Sequence, residues 1–220
     1  MKFLVRNAEP VCLVVMKRIY SGWGDVTFSD KQEIWLSLDE MQNNYCAFCE
    51  MTLKGMRKHI EHFISRSRKN VLTFEWTNLF GSCDNSEHCG RYKDIIISDY
   101  DENNLIKPDE NDPRNFLSFS PEGDISVKLG LSEENELKAT ETIRVFGLDA
   151  PDLVAARRTI LSGYNQIAKE YVELVELAIS EGGENIKVLV DEIYAEYSIT
   201  ILDQPFSTAL SQLLDLKFTQ

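Results

Sequence analysis

Apolar positions recur at helical spacing near both ends of the chain and lose that period in the middle. The opening stretch reads as helical, and Ser29-Asp30 supply an N-cap ahead of Ile34, Leu36, Leu38 and Met41, a stripe that predicts a helix over about 30–43. Beyond Gly130 the period returns. A first turn over Ser132, Glu133, Glu134 and Asn135 leads through Leu137, Thr140, Ile143 and Phe146 to a stop at Gly147. Asp149, as N-cap, and Pro151 open the next helix, whose apolar face runs from Leu153 to Ile179 before Gly182-Gly183 ends it. A further amphipathic run spans Ile186 to Tyr197, and Leu210, Leu213 and Leu214 indicate a last short helix. Between Tyr45 and Asp94 only short elements fit. From Asp99 to Pro113 the chain is acidic and broken by two prolines, as an irregular connection would be. Residues 116–119 and 125–127 then flank a Pro121–Asp124 turn and predict a β-hairpin. The expected class is α+β: a helical segment over 1–45, a small module over 46–98, a connection with a hairpin over 99–128, and an acidic helical region over 129–220. There is no internal repeat and no low-complexity tract.

A hydrophobic content of 43% over 220 residues permits an ordinary core. The apolar run at Val11–Met16 is too short for a membrane span and lacks a cleavage site, so a cytoplasmic chain without membrane attachment is expected. A formal charge of −13 argues against unaided binding to phosphates. Its distribution changes that picture: residues 1–45, 46–95 and 96–220 carry −1, +2 and −14. The basic residues of the middle segment fall at Lys54, Arg57 and Lys58, at Arg66, Arg68 and Lys69, and at Arg91 and Lys93.

Five cysteines, an odd number without an export signal, point to a metal site rather than a disulfide framework. Cys46 and Cys49 form a C-x2-C knuckle, and Cys83 and Cys89 follow after 33 intervening residues. Together they can close a four-thiolate zinc site, worth roughly 10–16 kcal/mol in small zinc modules. Cys12, set among aliphatic residues, reads as a free buried thiol.

The bracket encloses all three histidines: His59-Ile60-Glu61-His62-Phe63, then Trp76 through Cys83 with Asn78 inside it, then His88-Cys89-Gly90 and Lys93. The order C-x2-C, acid-His, Asn-Leu, Cys, Cys, Lys resembles the ββα-metal finger of HNH endonucleases. Written out as YCAFCE, HIEHF, WTNLFGSC and HCGRYK, it more particularly resembles the PtuB-type HNH nucleases of Septu and retron-associated anti-phage systems. The later segments LIKPDENDP, SPEGDI and ATETIRVFGLDAPDLVAARR extend that resemblance to about Arg158.

Phosphodiester hydrolysis requires a water that is deprotonated and aimed, and a counter-charge for the transition state. His62 is the candidate general base, since imidazole titrates near neutral pH. Glu61 is the candidate ligand of a catalytic Mg²⁺ or Mn²⁺. The resemblance assigns Asn78 to tying the loop between finger strand and helix and so orienting the base. It also expects His or Asn where this chain has Gly90. His88, Asn85 or water must therefore complete the metal's ligands, with His88 favoured. His59 reads as structural, and Trp76 and Phe80 as finger core. Arg66, Arg68, Lys69, Arg91 and Lys93 are candidate contacts to nucleic acid.

The function expected is metal-dependent cleavage of DNA or RNA. The resemblance implies a PtuA-like ATPase, related to SMC and ABC ATPases, as partner, with a retron reverse transcriptase and its RNA–DNA hybrid as a further one. The chain has no P-loop of its own, so any ATP dependence comes from elsewhere. The alternative is a zinc-stabilised interaction module with a degenerate centre, which Gly90 and the net acidity favour. The acidic helices after residue 130 are the expected docking surface.

Overall fold

The computed structural model describes residues 1–97, 99–182 and 186–218, and it is α+β, mostly helical, with two small antiparallel sheets. Helix α1 (Val11–Ile19) buries Cys12, Leu13 and Met16. Helix α2 (Phe28–Gln42) begins two residues earlier than the apolar stripe suggests, because its cap is Thr27 rather than Ser29. The Asp30 N–H donates to Thr27 Oγ1 at 3.2 Å while the Thr27 N–H donates to Asp30 Oδ2 at 2.9 Å, a reciprocal capping box that satisfies two end groups at once.

Strands β1 (Lys58–His62) and β2 (Leu79–Cys83) pair antiparallel, with His59 opposite Ser82 and Glu61 opposite Phe80. The short helix α3 (Cys89–Ile95) follows. The connection beyond it is irregular, with single 3-10 turns at Glu102–Asn104 and Pro113–Asn115, and leads into the expected hairpin of β3 (Leu117–Phe119) and β4 (Ile125–Val127). Helix α4 (Glu133–Phe146) is capped by Ser132 and stops at Gly147 in the left-handed region, φ +55°. A Cβ at Gly147 would sit 2.9 Å from the Glu87 carbonyl, so the end of α4 presses on the loop ahead of α3.

Helix α5 (Pro151–Glu181) spans 31 residues, about 46 Å at helical rise. Its cap is Ala150, not Asp149, and Pro151 takes the first helical position. Helices α6 (Ile186–Leu202) and α7 (Ser207–Phe218) pack back on it. Gly183, the second glycine of the expected stop, the Leu214 side chain and the boundary residue at 98 lie outside the described residues. No described helix is long and apolar enough to cross a membrane.

One continuous apolar cluster joins the cysteine module to the C-terminal helices, and Phe48 stacks on Phe146 of α4 at 4.2 Å between ring centroids. A smaller cluster packs α1 and α2 against Trp76 and Leu79. Both Trp76 and Phe80 are buried core residues, with the Arg6 guanidinium 4.9 Å and 4.6 Å from their rings.

Glu50, directly after the C-x2-C knuckle, connects the module to α7. It is buried at φ +65°, a region that disfavours a side chain, and its carboxylate accepts the Thr208 N–H at 3.0 Å and the Ser207 hydroxyl at 3.2 Å. Burial works against its charge, but the amino group of Met1 at 2.7 Å and the Thr208 N–H hold the carboxyl below its usual value. A depressed folded pKa adds stability above the unfolded value, about 4.3, that is lost as pH falls through the folded one. We expect Glu50→Ala to lower stability by about 3 kcal/mol and to erase that acid limb in thermal unfolding. Glu50→Gly, which also relieves the left-handed strain, should lose less.

Candidate metal centre and catalytic cleft

Four sulfurs from three chain segments converge. Cys46 and Cys49 come from the knuckle, Cys83 ends β2 and Cys89 starts α3, and all four ligand atoms lie within 4.8 Å of one another in a buried position. The distances are 3.8 Å from Cys46 to Cys89 and 3.9 Å from Cys49 to Cys83. A tetrahedral zinc with sulfurs at 2.3 Å requires edges of about 3.8 Å, so the donor set fits zinc in chemistry and in size. Burial and the neighbouring sulfurs push the Cys89 thiol well above its ordinary value, and a cation among the four is what would let all of them ionise. Cys12 stands apart, buried among apolar groups, with its thiol pushed up to about 12 by burial and then by Glu33.

His88 belongs to this cluster and not to the Glu61 side. Its Nδ1 lies 3.2 Å from the Cys89 sulfur and 3.6 Å from that of Cys83, and its Nε2 lies 3.3 Å from Asp152 on α5. The ring thus sits between the sulfurs and a carboxylate, where it can steady the cysteine cluster. The reading of His88 as a ligand beside Glu61 is therefore corrected. Asn85 does not complete that set either, since its amide holds the Glu87 N–H and reaches Asp152.

On the other side of β1 and α3 lies a cavity of about 200 Å³, lined by Trp23, His59, Glu61, His62, Gly90 and Arg91 among others. Residues two apart in a strand share a face, and Glu61 Oε2 meets His59 Nε2 at 2.9 Å. Glu61 is buried, and the Lys93 ammonium lies 2.9 Å from its Oε1 without the alignment of a hydrogen bond. Burial opposes the Glu61 charge, yet His59 and Lys93 hold the carboxyl below its usual range. Gly90 makes this placement feasible: a Cβ there would lie 2.3 Å from Glu61 Oε2. The long carboxylate occupies the space that a side chain on α3 would need. Among the described residues the four cysteines are the one group of three or more such donors that converges; Glu61 and His59 make a pair.

His62 ends β1 with its ring edge-on to Trp23, at 4.5 Å between centroids. Its Nε2 lies 3.0 Å from the Thr73 carbonyl. A carbonyl can only accept, so Nε2 carries the proton and Nδ1 keeps its lone pair, with no hydrogen bond among the described residues. Burial pushes the ring's pKa down to about 4, so the imidazole is neutral at pH 7.

Asn78 secures the loop that supplies Thr73. Its Oδ1 accepts the Ile64 N–H at 2.8 Å, and its Nδ2 donates to the carbonyls of Ile64 at 3.0 Å and Leu72 at 3.2 Å. The loop it ties joins β1 to β2 rather than strand to helix, because Asn78 directly precedes β2.

The five basic candidates divide. Lys93 is fully buried, donating to the His62 carbonyl at 3.1 Å and to Asp94 at 2.5 Å, so its ammonium is internal and does not meet solvent phosphates. Arg91 is held by Asp84 at 2.5 Å. Lys69 pairs with Glu102 at 2.6 Å, and Arg68 with Glu102 at 3.5 Å. Arg66 lies over Trp23 at 6.0 Å and has no carboxylate partner among the described residues. Sequence reasoning took His59 as structural, and the strand brings it against Glu61, two residues on. It missed Trp23 and Thr73, which nothing local in the sequence marks.

No protein-family model matches the chain. It is similar to two curated proteins, both named Septu protein PtuB. One, from Bacillus mycoides (strain KBAB4), is 26% identical over 182 residues, covering 70% of this chain and 56% of the relative. The other, from Bacillus thuringiensis, is 27% identical over 202 residues, covering 85% of this chain and 71% of the relative. The chain thus spans about half the length of the first and under three quarters of the second. The likeness to PtuB-type proteins read from the motifs stands.

The cysteine geometry predicts one tightly bound zinc per chain by elemental analysis. Cys89→Ser should release it and collapse cooperative unfolding, whereas Cys12→Ser should leave zinc content unchanged.

Proposed function

We propose that the chain is an HNH-type endonuclease that hydrolyses phosphodiester bonds, working as the effector of a Septu-type anti-phage assembly. The observation that carries this reading is His62: a neutral imidazole whose Nε2–H is fixed on the Thr73 carbonyl, on the wall of a cavity it shares with a buried carboxylate. Such a group takes a proton from an incoming water, and a positioned base typically contributes about 10²–10⁴ in rate. Asn78 acts at one remove by fixing the loop that fixes the base. The succession β1, β2, α3 around four cysteines supports identifying the module as a ββα finger with a structural zinc.

A Mg²⁺ or Mn²⁺ ion would be held by Glu61 and His59, with waters and substrate oxygens supplying the rest, and would contribute charge neutralisation at the scissile phosphate. The fit rests on Glu61 Oε1, a buried oxygen without a hydrogen bond beside a single ammonium. Lys93 meanwhile keeps the carboxylate ionised. Gly90 stands where the resemblance would place a His or Asn, and Glu61 fills the space it leaves.

A PtuA-like ATPase, alone or with a reverse transcriptase and its RNA–DNA hybrid, is the proposed partner that brings substrate to a net acidic chain. The acidic helices after 130 form the docking surface; α5 and α6 expose Leu174, Leu177, Ile179 and Val188 there. The second reading, an interaction module without catalysis, draws on the Lys93–Glu61 pair and on Gly90.

His62→Ala should reduce cleavage by at least a hundredfold with zinc content and thermal midpoint intact; cleavage undiminished in a pure preparation would remove the assignment. Gly90→Ala, which must push Glu61 aside, should likewise abolish cleavage while retaining zinc. If instead the chain binds one zinc, shows no response to added Mn²⁺ and cleaves neither DNA nor RNA in complex with its partner, the module reading holds. Leu174→Glu with Leu177→Glu should break co-elution with the ATPase.

A further inference from the structure

A second cavity, of about 510 Å³, adjoins the His62 cavity and shares Arg66 and Asp94 with it. Its lining comes from the loop Ser65, Arg66, Ser67 and Arg68, from α3, and from Tyr100. The size falls within the range of small-ligand sites, roughly 300–1,000 Å³. Its polar lining is hydroxyl and guanidinium, with the Asp94 carboxylate at one wall already paired to the Lys93 ammonium at 2.5 Å.

Three features show what this cavity suits. Arg66 is exposed and has no carboxylate partner among the described residues, unlike Arg68 and Lys69, which Glu102 engages. The Ser65 and Ser67 hydroxyls lie side by side at 3.3 Å. The Tyr100 hydroxyl is buried with no hydrogen-bond partner, on a residue only 6% exposed. A buried hydroxyl left unpaired is a deficit that a polar ligand would remove. The Tyr100 ring is already engaged by cations, with the Arg68 guanidinium 4.4 Å and Lys93 Nζ 5.9 Å from its centroid. What fits is the sugar–phosphate part of a nucleotide.

We propose that this cavity is a nucleotide subsite, which holds the sugar and phosphate next to the scissile phosphate of a single-stranded substrate. Its place beside a scissile phosphate rests on the phosphodiesterase reading; the cavity's own chemistry carries the rest. Arg66 donates to the phosphate oxygens, Ser65 and Ser67 donate beside it, and the Tyr100 hydroxyl meets a sugar or phosphate oxygen. A duplex presents its backbone on a convex surface with the sugars locked in the stack, whereas an unstacked nucleotide can enter a recess of this size.

The test uses the full chain carrying His62→Ala, so that nothing is cleaved, and a fluorescein-labelled short single strand, as DNA and as RNA, alongside the same DNA annealed to its complement. Polarisation at low salt should show the single strand bound more tightly than the duplex. Adding Arg66→Ala should weaken binding about tenfold, the effect of about 1.4 kcal/mol from one phosphate contact. Tyr100→Phe should weaken it about threefold or more with no fall in thermal midpoint, since the hydroxyl it removes has no partner in the free protein, and Lys187→Ala on α6, outside the cavity, should leave it unchanged. Tighter binding of the duplex, no binding at low salt, or equal losses from Arg66→Ala and Lys187→Ala would overturn the subsite. Cleavage by the unsubstituted chain that His62→Ala abolishes, together with binding indifferent to Arg66, would overturn the subsite alone and leave hydrolysis standing.

Discussion

Four buried sulfurs within 4.8 Å of one another form an arrangement that electrostatics forbids to thiolates alone, and a cation is what would reconcile it. The rest of the molecule depends on that convergence. It fixes the knuckle against the end of β2 and the start of α3, although 33 residues lie between Cys49 and Cys83. Through His88 and Asp152 it also reaches the first turn of α5, and through Glu50 it reaches α7. The C-terminal helices are therefore built onto the cysteine module rather than tethered beside it, and the shared apolar cluster with Phe48 on Phe146 completes the joint.

A second set of buried charges faces the other way from the same elements. Glu61 on β1 and Lys93 on α3 neutralise one another in a space that Gly90 leaves open. Removing one partner of such a pair leaves an uncompensated buried charge, which is more damaging than never having buried the pair. The pair therefore couples the strand to the helix, and it does so on the wall of the cavity that His62 lines. The cysteine cluster fixes the end of β2, the partner strand of β1, against the start of α3; the ion pair sets what occupies the gap between β1 and α3.

The helices were legible because their faces are amphipathic and their ends carry chemistry that acts locally. Ser132 caps α4, Gly147 terminates it and Pro151 opens α5, each where the pattern indicated. The α2 start shifted because a reciprocal pair, Thr27 with Asp30, outweighs a lone serine. The cysteine cluster was legible from spacing alone. What could not be read was which side of the module each polar residue would face. His88 and Gly90 flank Cys89 in the sequence, yet the ring of His88 turns to the sulfurs while Gly90 borders Glu61, because Cys89 sits at φ +61° and reverses the chain between them. Burial of Lys93 was equally invisible, since a lysine in a basic segment ordinarily meets solvent.

The loop from Ile64 to Thr73 links these parts. Its carbonyl at Thr73 chooses the tautomer of His62, and its residues Ser65 to Arg68 line the larger cavity, so one segment governs both the imidazole and the recess beside it. The loop has little apolar anchoring of its own: residues 66–71 are exposed. It is held instead by the three hydrogen bonds of the Asn78 amide and by Arg68, whose guanidinium donates to the Tyr100 carbonyl. Buried amides with every partner satisfied rigidify what they hold, because each bond lost would expose an unpaired group to a low-dielectric interior. An asparagine that touches neither cavity thus sets the geometry of both.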